Sequence, residues 1–531
     1  MTKNKLPMKR IITLCLLALG ITAQAQEFEW VKTIDLQADI NSDMINYTTA
    51  CDPQGNIYFA GIEENVSFNC VDLMGSLTYN KYSSDGTLIY AKKFDGYGAI
   101  FSMKPDSQGN MVLAIGYTSS LTIGNTTLTA DEFTPNFSLI KLNSEGNLLW
   151  HSQMILPDAE AWDFVSNFKT ISLDENNNIY VGYDNFFHSY IVKFSSLGEQ
   201  QLIIPQLFTS RVTSVSVDKT GNIYVAGSCP SLQSVFAGVP APIADATFYS
   251  IYLVKYNAAG EYQWVKFVED ITCPDPQVAA SGEHIYFSST LGGPVLFDDI
   301  QTQGPTNFWG DFFLAKLNAS GEYLWVAEVP QTGGEVNIGR NNFLNVDQEG
   351  NAYIVGRTRM TIDWSENITT NIEGFNSEAI VLKYNTAGEV IMAKTAGGIS
   401  SEDKFDGIIT NSHGDIFLTG VVTGGTINFD EIEYEYDSWE IVPFLTKLGH
   451  GMLSTETPAI NAVSLYPNPA SKELYITNLS DDSKGEIFNT LGQKVMDFTI
   501  TDDTPIIVDR LSPGTYIIKT EDYKTFKFIK Q

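Results

Sequence analysis

The stretch Val212-Thr-Ser-Val-Ser-Val-Asp-Lys-Thr-Gly-Asn-Ile-Tyr-Val-Ala-Gly227, continued by Ile251-Tyr-Leu-Val-Lys-Tyr-Asn-Ala-Ala-Gly-Glu-Tyr-Gln-Trp-Val-Lys-Phe267, decides the fold. Each half holds two short β-branched and aromatic runs around a turn. Asp218 and Asn257 open the turns, where a short polar side chain can bond its own backbone, and Gly221 and Gly260 take the left-handed position that penalises a Cβ. The stretch therefore predicts four short antiparallel strands: a (Val212–Val217), b (Asn222–Gly227), c (Ile251–Tyr256) and d (Tyr262–Phe267).

Working outward, the same unit recurs. Its first turn appears as Asp52-Pro-Gln-Gly-Asn-Ile-Tyr58, Asp106-Ser-Gln-Gly-Asn110, Asp174-Glu-Asn-Asn-Asn-Ile-Tyr180 and Asp347-Gln-Glu-Gly-Asn351. Weaker copies are Ser281-Gly-Glu-His-Ile-Tyr286 and Asn411-Ser-His-Gly-Asp415. Strand c ends on Lys81, Lys141, Lys193, Lys255, Lys316, Lys383 and Lys447. Seven repeats of four short antiparallel strands indicate an all-β chain built as a seven-bladed β-propeller. The seventh repeat lacks a Trp-bearing strand d, and Glu27-Phe-Glu-Trp-Val-Lys-Thr-Ile34 matches that strand elsewhere. The N-terminal strand is therefore expected to complete the last blade and remove an exposed sheet edge. The repeat resembles the bacterial β-propeller repeat of type IX secretion substrates over roughly residues 27–450.

The C-terminal segment 462–531 reads as a second, small all-β domain. Leu474, Ile476, Ile487, Val495, Ile506, Val508, Ile517 and Phe528 lie in short runs broken by turns, the pattern of an immunoglobulin-like sandwich. In order it carries Tyr466, Pro467, Asn468 and Pro469, then Gly492 and Gln493, then Pro513, Gly514 and Tyr516. Those motifs resemble the C-terminal sorting domain of type IX secretion substrates in Bacteroidetes-type bacteria. The resemblance implies recognition by the type IX machinery and a secreted or cell-surface location.

The N-terminus agrees with export. Lys3, Lys5, Lys9 and Arg10 precede the apolar run Ile11–Ile21, and Ala23-Gln-Ala25 supplies small residues for cleavage. Residues 1–25 are read as a signal peptide, 26–448 as the propeller, 449–461 as a linker and 462–531 as the sorting domain. No transmembrane segment is expected in the mature chain, which is read as monomeric. The formal charge of −31 repels phosphate backbones, so no nucleic-acid partner is expected.

The a–b and c–d turns fall on one face of the disk, and the longer b–c and d–a connections on the other. Length variation on that loop face makes it the place for function. The third repeat shortens its b–c connection to Tyr183-Asp-Asn-Phe-Phe-His-Ser189. Aromatics beside acids recur on this face, as in sites that stack on sugars. The non-repeated ones, Trp162, Phe187, His188, Trp309 and Trp439, are the candidate ligand-binding residues. Trp30, Trp150, Trp264 and Trp325 on strand d are expected to be core, and each repeat lysine to pair with its turn aspartate.

No catalytic motif is present: no His-Glu-x-x-His, Gly-x-Ser-x-Gly or phosphate loop. The acid pairs Asp298-Asp299 and Asp430-Glu431 sit in matching stretches that read as small hairpins rather than facing carboxylates. No metal site or cofactor is expected; acidity could attract calcium, but no Asp-x-Asp-x-Asp-Gly loop supports it. Cys229 and Cys273 both fall on the loop face between neighbouring repeats and are expected to form a disulfide, leaving Cys51 and Cys70. The leading function is non-catalytic binding of a glycan or protein. A secreted polysaccharide-acting enzyme and a structural adhesion scaffold are the alternatives.

Overall fold

The computed structural model describes residues 26–33, 47–67, 73–130, 135–157, 164–229, 234–241, 250–269, 275–306, 310–340, 342–374, 376–400, 402–411, 413–450, 464–466, 470–477, 483–489, 492–500, 505–520 and 525–531. The described residues are all β, with no helix among them. They fall into two compact units, Met1–His450 and Gly451–Gln531. Among the described residues, no helix is long and apolar enough to cross a membrane.

In the first unit the four-strand repeat is realised as expected. The fourth repeat pairs Arg211–Val217, Ile223–Cys229, Ser250–Tyr256 and Tyr262–Glu269 in that order as one antiparallel sheet. The fifth pairs Gln277–Ser281, His284–Thr290, Phe312–Asn318 and Tyr323–Glu328 in the same way. The first two repeats are joined, because the continuous strand Leu88–Pro105 ends one and begins the next. In the last sheet the N-terminal strand Gln26–Thr33 lies antiparallel against Ile432–His450, with Val31 opposite Thr446.

The b–c connections differ from the expected loops. In the seventh repeat, Ile416–Phe429 and Ile432–His450 stay paired out to Phe429 opposite Ile432. The alternation Thr426-Ile-Asn-Phe against Ile432-Glu-Tyr-Glu-Tyr436 supports a ribbon with one apolar face, and Ile427 and Phe429 are buried. The sixth repeat forms a separate hairpin, Thr361–Ser365 with Ile368–Asn371.

Successive repeats are fastened by one recurring contact. The Trp150 indole donates to the Ser196 carbonyl in the next c–d turn (3.3 Å), as Trp264 does to Ala319 (3.2 Å) and Trp325 to Thr386 (3.1 Å). The turn glycine lies over the ring. A Cβ on Gly198 would stand 2.9 Å from Trp150, and one on Gly321 2.9 Å from Trp264, at φ +84 and +88. These tryptophans are thus half-buried staples between repeats rather than core residues. The core proper is formed by strand b and c side chains such as Tyr224, Leu253, Phe287 and Leu314.

The repeat lysines and turn aspartates pair where both are present at the right depth: Lys141 with Asp106 at 2.8 Å, Lys447 with Asp415 at 3.1 Å and Lys383 with Asp347 at 3.5 Å. Lys255 departs from this, reaching across to the Ala319 carbonyl at 2.7 Å. The aspartates also cap their own turns, Asp218 accepting from the Thr220 and Asn222 N–H groups.

The second unit holds a three-stranded sheet (Ser464–Tyr466, Glu473–Thr477, Ile506–Ile507) and a four-stranded one (Lys494–Ile500, Ser483–Asn489, Gly514–Thr520, Thr525–Lys530). Leu474, Ile487, Ile506, Val508, Ile518 and Phe528 share its core. On strand Gly514–Thr520 Ile518 is buried while Ile517 is only partly so, and on strand Lys494–Ile500 Val495 is exposed. A one-residue shift moves a side chain to the opposite face of a strand.

Candidate functional site

The third repeat closes its b–c connection with the shortest path available. Strands Ile179–Asp184 and His188–Phe194 pair to their ends, leaving three residues between them. Asn185 shapes that turn, its side-chain oxygen accepting the N–H groups of Phe187 (3.1 Å) and His188 (2.8 Å). Phe186 is left at φ +70, a conformation rarely taken by a bulky side chain.

Beneath the turn lies Asp184, fully buried. It accepts from Asn167 Nδ2 (2.9 Å), the Ser166 hydroxyl (3.1 Å) and the Val212 N–H (3.1 Å), so it ties the third repeat to the fourth. Burial pushes its carboxyl up to about 6, against the pull of those hydrogen bonds.

His188 is a support rather than a free imidazole. Its Nδ1 accepts the Phe208 N–H at 3.1 Å, and its ring meets the Phe208 ring edge-on with centroids 5.3 Å apart. Phe208 is itself held at φ +57. The result is a group of outward-facing rings: Phe187 is 70% exposed, Phe208 45% and Phe186 43%. Phe187 and His188 were legible as candidates. Phe208 was missed, because it sits in a d–a joint with no repeat signature; only a phenylalanine in a polar connection marked it. Trp162 and Trp309 lie outside the described residues. Trp439 falls within strand Ile432–His450, but its side chain lies outside them.

A second feature is a cavity of about 220 Å³ lined by first strands from six of the repeats. Lys104, Lys169 and Arg340 are the cations in its wall and Asp275 is the acid. Lys169 stands 3.9 Å from Asp275, which also faces Arg211 at 3.4 Å.

The acid pairs are turn residues, as their sequence setting suggested. Asp298 and Asp430 occupy hairpin turns at φ +53 and +52. Each reaches a strand-d lysine of the preceding repeat, Asp298 to Lys266 at 2.7 Å and Asp430 to Lys394 at 2.5 Å. Their carboxylates are committed to structure. Among the described residues no group of three or more His, Cys, Asp or Glu is arranged to hold a metal ion.

In the second unit Gly492 takes φ +77 in a turn that Asn489 caps, its side-chain oxygen accepting the Gln493 N–H at 3.0 Å. Pro513 and Gly514 lead into strand Gly514–Thr520, where Tyr516 stacks on Phe528 at 5.5 Å and donates to the Ser512 carbonyl. Tyr466 lies in the strand Ser464–Tyr466, while Pro467, Asn468 and Pro469 lie outside the described residues. Cys229 is buried at the end of strand Ile223–Cys229; Cys70 and Cys273 lie outside the described residues.

Comparison with known proteins matches residues 464–531 to the family described as the secretion system C-terminal sorting domain. The chain carries this sorting domain at its C-terminal end, which indicates export by type IX secretion to the cell surface or extracellular space. An uncharacterised WD repeat-containing protein of Acanthamoeba polyphaga mimivirus is 27% identical over 188 residues, 31% of this chain and 13% of that protein's length. Among solved structures, a protein of unknown function from Bacteroides caccae aligns with 57% of this chain and 93% of its own, at 12% identity and TM-score 0.28. A Lactobacillus plantarum protein aligns with 73% and 98%, at 10% identity and TM-score 0.39. Prolyl oligopeptidase B from Galerina marginata aligns with 91% and 56%, at 9% identity and TM-score 0.36.

Proposed function

We propose that this chain is an exported, non-catalytic glycan-binding protein, monomeric, built on a seven-bladed propeller that the strand Gln26–Thr33 closes. Three contacts between the two ends of the repeat array support the ring. Trp30 donates to the Ser84 carbonyl at 3.2 Å, the staple seen between other neighbours. The Tyr47 hydroxyl donates to Asp406 at 2.7 Å. Tyr47, Ile57 and Phe59 share a core cluster with Phe417, Val421 and Leu445.

The observation that carries the binding reading is the pair Phe186 and Phe208, two bulky residues at positive φ with rings turned to solvent. Such backbone costs of order 1–3 kcal/mol per residue and persists where the surroundings over-determine it, often at ligand clamps. Here the surroundings are Asp184, Asn185 and His188, which together hold three phenyl faces outward. Flat apolar faces beside hydrogen-bonding groups suit the C–H faces and hydroxyls of a sugar ring. Trp162, Trp309 and Trp439 are proposed as further members of the loop-face surface, and Cys229–Cys273 as a disulfide across the fourth and fifth repeats.

The test is a glycan array probed with the mature chain, with and without calcium. Selective binding that falls at least tenfold on Phe187→Ala, with Leu197→Ala (an exposed leucine in a c–d turn of the same repeat) unchanged, is the expected result. Absence of any selective glycan, or indifference to Phe187→Ala, would remove this reading.

A further inference from the structure

We propose that the cavity lined by the first strands of the repeats is a separate binding site for a small oxyanion, a phosphate or carboxylate group, held by Lys104 with Ser172 and Ser216. The chain carries a formal charge of −31, yet three of the four charged residues in this wall are cations. The single acid, Asp275, is already shared between Lys169 and Arg211.

Lys104 is the focus. It lies near the end of strand Leu88–Pro105, opposite Val112, which in turn pairs with the repeat lysine Lys141. Ser172 is opposite Tyr180, which pairs with Lys193, and Ser216 is opposite Tyr224, which pairs with Lys255. The three residues therefore occupy one register position in three consecutive repeats, and all three line the same cavity. Ser216 accepts the Ala280 N–H with its oxygen (2.9 Å), which leaves its hydroxyl proton to donate. One ammonium and two hydroxyl donors at one level match the acceptor oxygens of an oxyanion.

No described residue pairs with the Lys104 ammonium, and burial pulls its proton affinity below that of an ordinary lysine. Lys104 is half-buried in this wall, and a partly desolvated cation without a protein partner is favoured by a bound anion. Lys169, whose charge is shared with Asp275, and Arg340 place further cationic groups in the same wall. The volume, about 220 Å³, is below the roughly 300–1,000 Å³ of pockets for drug-sized ligands, so the ligand is small.

The full mature chain would be titrated calorimetrically with sodium phosphate and with sodium glucuronate, at constant ionic strength in chloride. Saturable one-to-one binding of at least one anion is expected, at least tenfold weaker in Lys104→Met. That variant should keep or raise its melting temperature without ligand, since it removes an unpaired charge; Lys104→Gln replaces it should the methionine variant not fold. Phosphate binding alone assigns a free phosphate, and glucuronate binding assigns a carboxylate-bearing sugar. Failure of both anions to bind, or equal binding by the variant, would overturn the site. Phe187→Ala should leave anion binding unchanged, so this site and the loop-face site stand or fall separately.

Discussion

The indole nitrogen of Trp30 donates to the carbonyl of Ser84 at 3.2 Å, and the ring lies 3.0 Å from where a Cβ on Gly86 would sit. Trp264 stands in the same relation to Ala319 and Gly321. A residue of the N-terminal strand therefore does for the first repeat what a strand-d tryptophan does inside the array. In a closed ring, Trp30→Ala and Trp264→Ala should cost similar amounts, about 3 kcal/mol each. Urea unfolding followed by fluorescence would check this. A Trp30 variant that loses almost nothing would argue for an open array with a frayed end.

Lys141 and Lys255 occupy equivalent positions in different surroundings. Lys141 and Asp106 are both buried and 2.8 Å apart, and although burial works to raise the Asp106 carboxyl, the bonds from Lys141 and Asn110 hold it below its ordinary value. Lys141→Met strands that carboxylate and should cost about 3 kcal/mol. Lys255→Met removes one hydrogen bond to the Ala319 carbonyl and should cost about 1 kcal/mol. Comparing chemical-denaturation midpoints of the two variants is the measurement, and neither should alter glycan or anion binding.

Burial pushes Asp311 up to about 7, and Asp184 and Asp403 up to about 6, despite backbone N–H bonds that oppose it. An unfolded aspartate titrates near ~4. Between about pH 4 and 7 these three carboxyls thus hold more protons in the folded chain than in the unfolded one. The stabilising contribution of these carboxyls is present at the acid end and is lost as pH rises through that window. Asp311→Asn should flatten the fall in urea midpoint between pH 4.5 and 7.5. An unchanged slope would show that Asp311 is ionised in the folded state throughout.

Cys229 ends the buried strand Ile223–Cys229, and in the sequence Cys273 falls in the connection between the fourth and fifth repeats. The proposed disulfide should leave neither thiol open to alkylation in the unreduced, denatured protein. Reduction should lower stability by roughly 2–4 kcal/mol. Labelling of either cysteine before reduction, read by peptide mass spectrometry, would refute the pairing.

What the sequence alone determined here is whatever repeats locally. Asp218, Gly221 and Asn222 specify a turn within five residues, and the β-branched runs beside them specify strands, so the four-strand repeat and its copies were readable without coordinates. The sorting motifs were readable for the same reason, being short and contiguous. The hairpins that carry Asp298-Asp299 and Asp430-Glu431 were readable too, because their flanking residues spell short paired strands.

Only the tertiary structure decided what depends on residues far apart in the chain. It turned strand-d tryptophans from expected core into staples, because the glycine that roofs each ring belongs to the next repeat. It put Phe208 against His188 through a hydrogen bond between different connections. It also gathered Lys104, Ser172 and Ser216 at one level of one cavity, each unremarkable in its own strand. Local spacing sets backbone conformation, but burial, charge balance and shared contacts are sums over neighbours that only folding brings together.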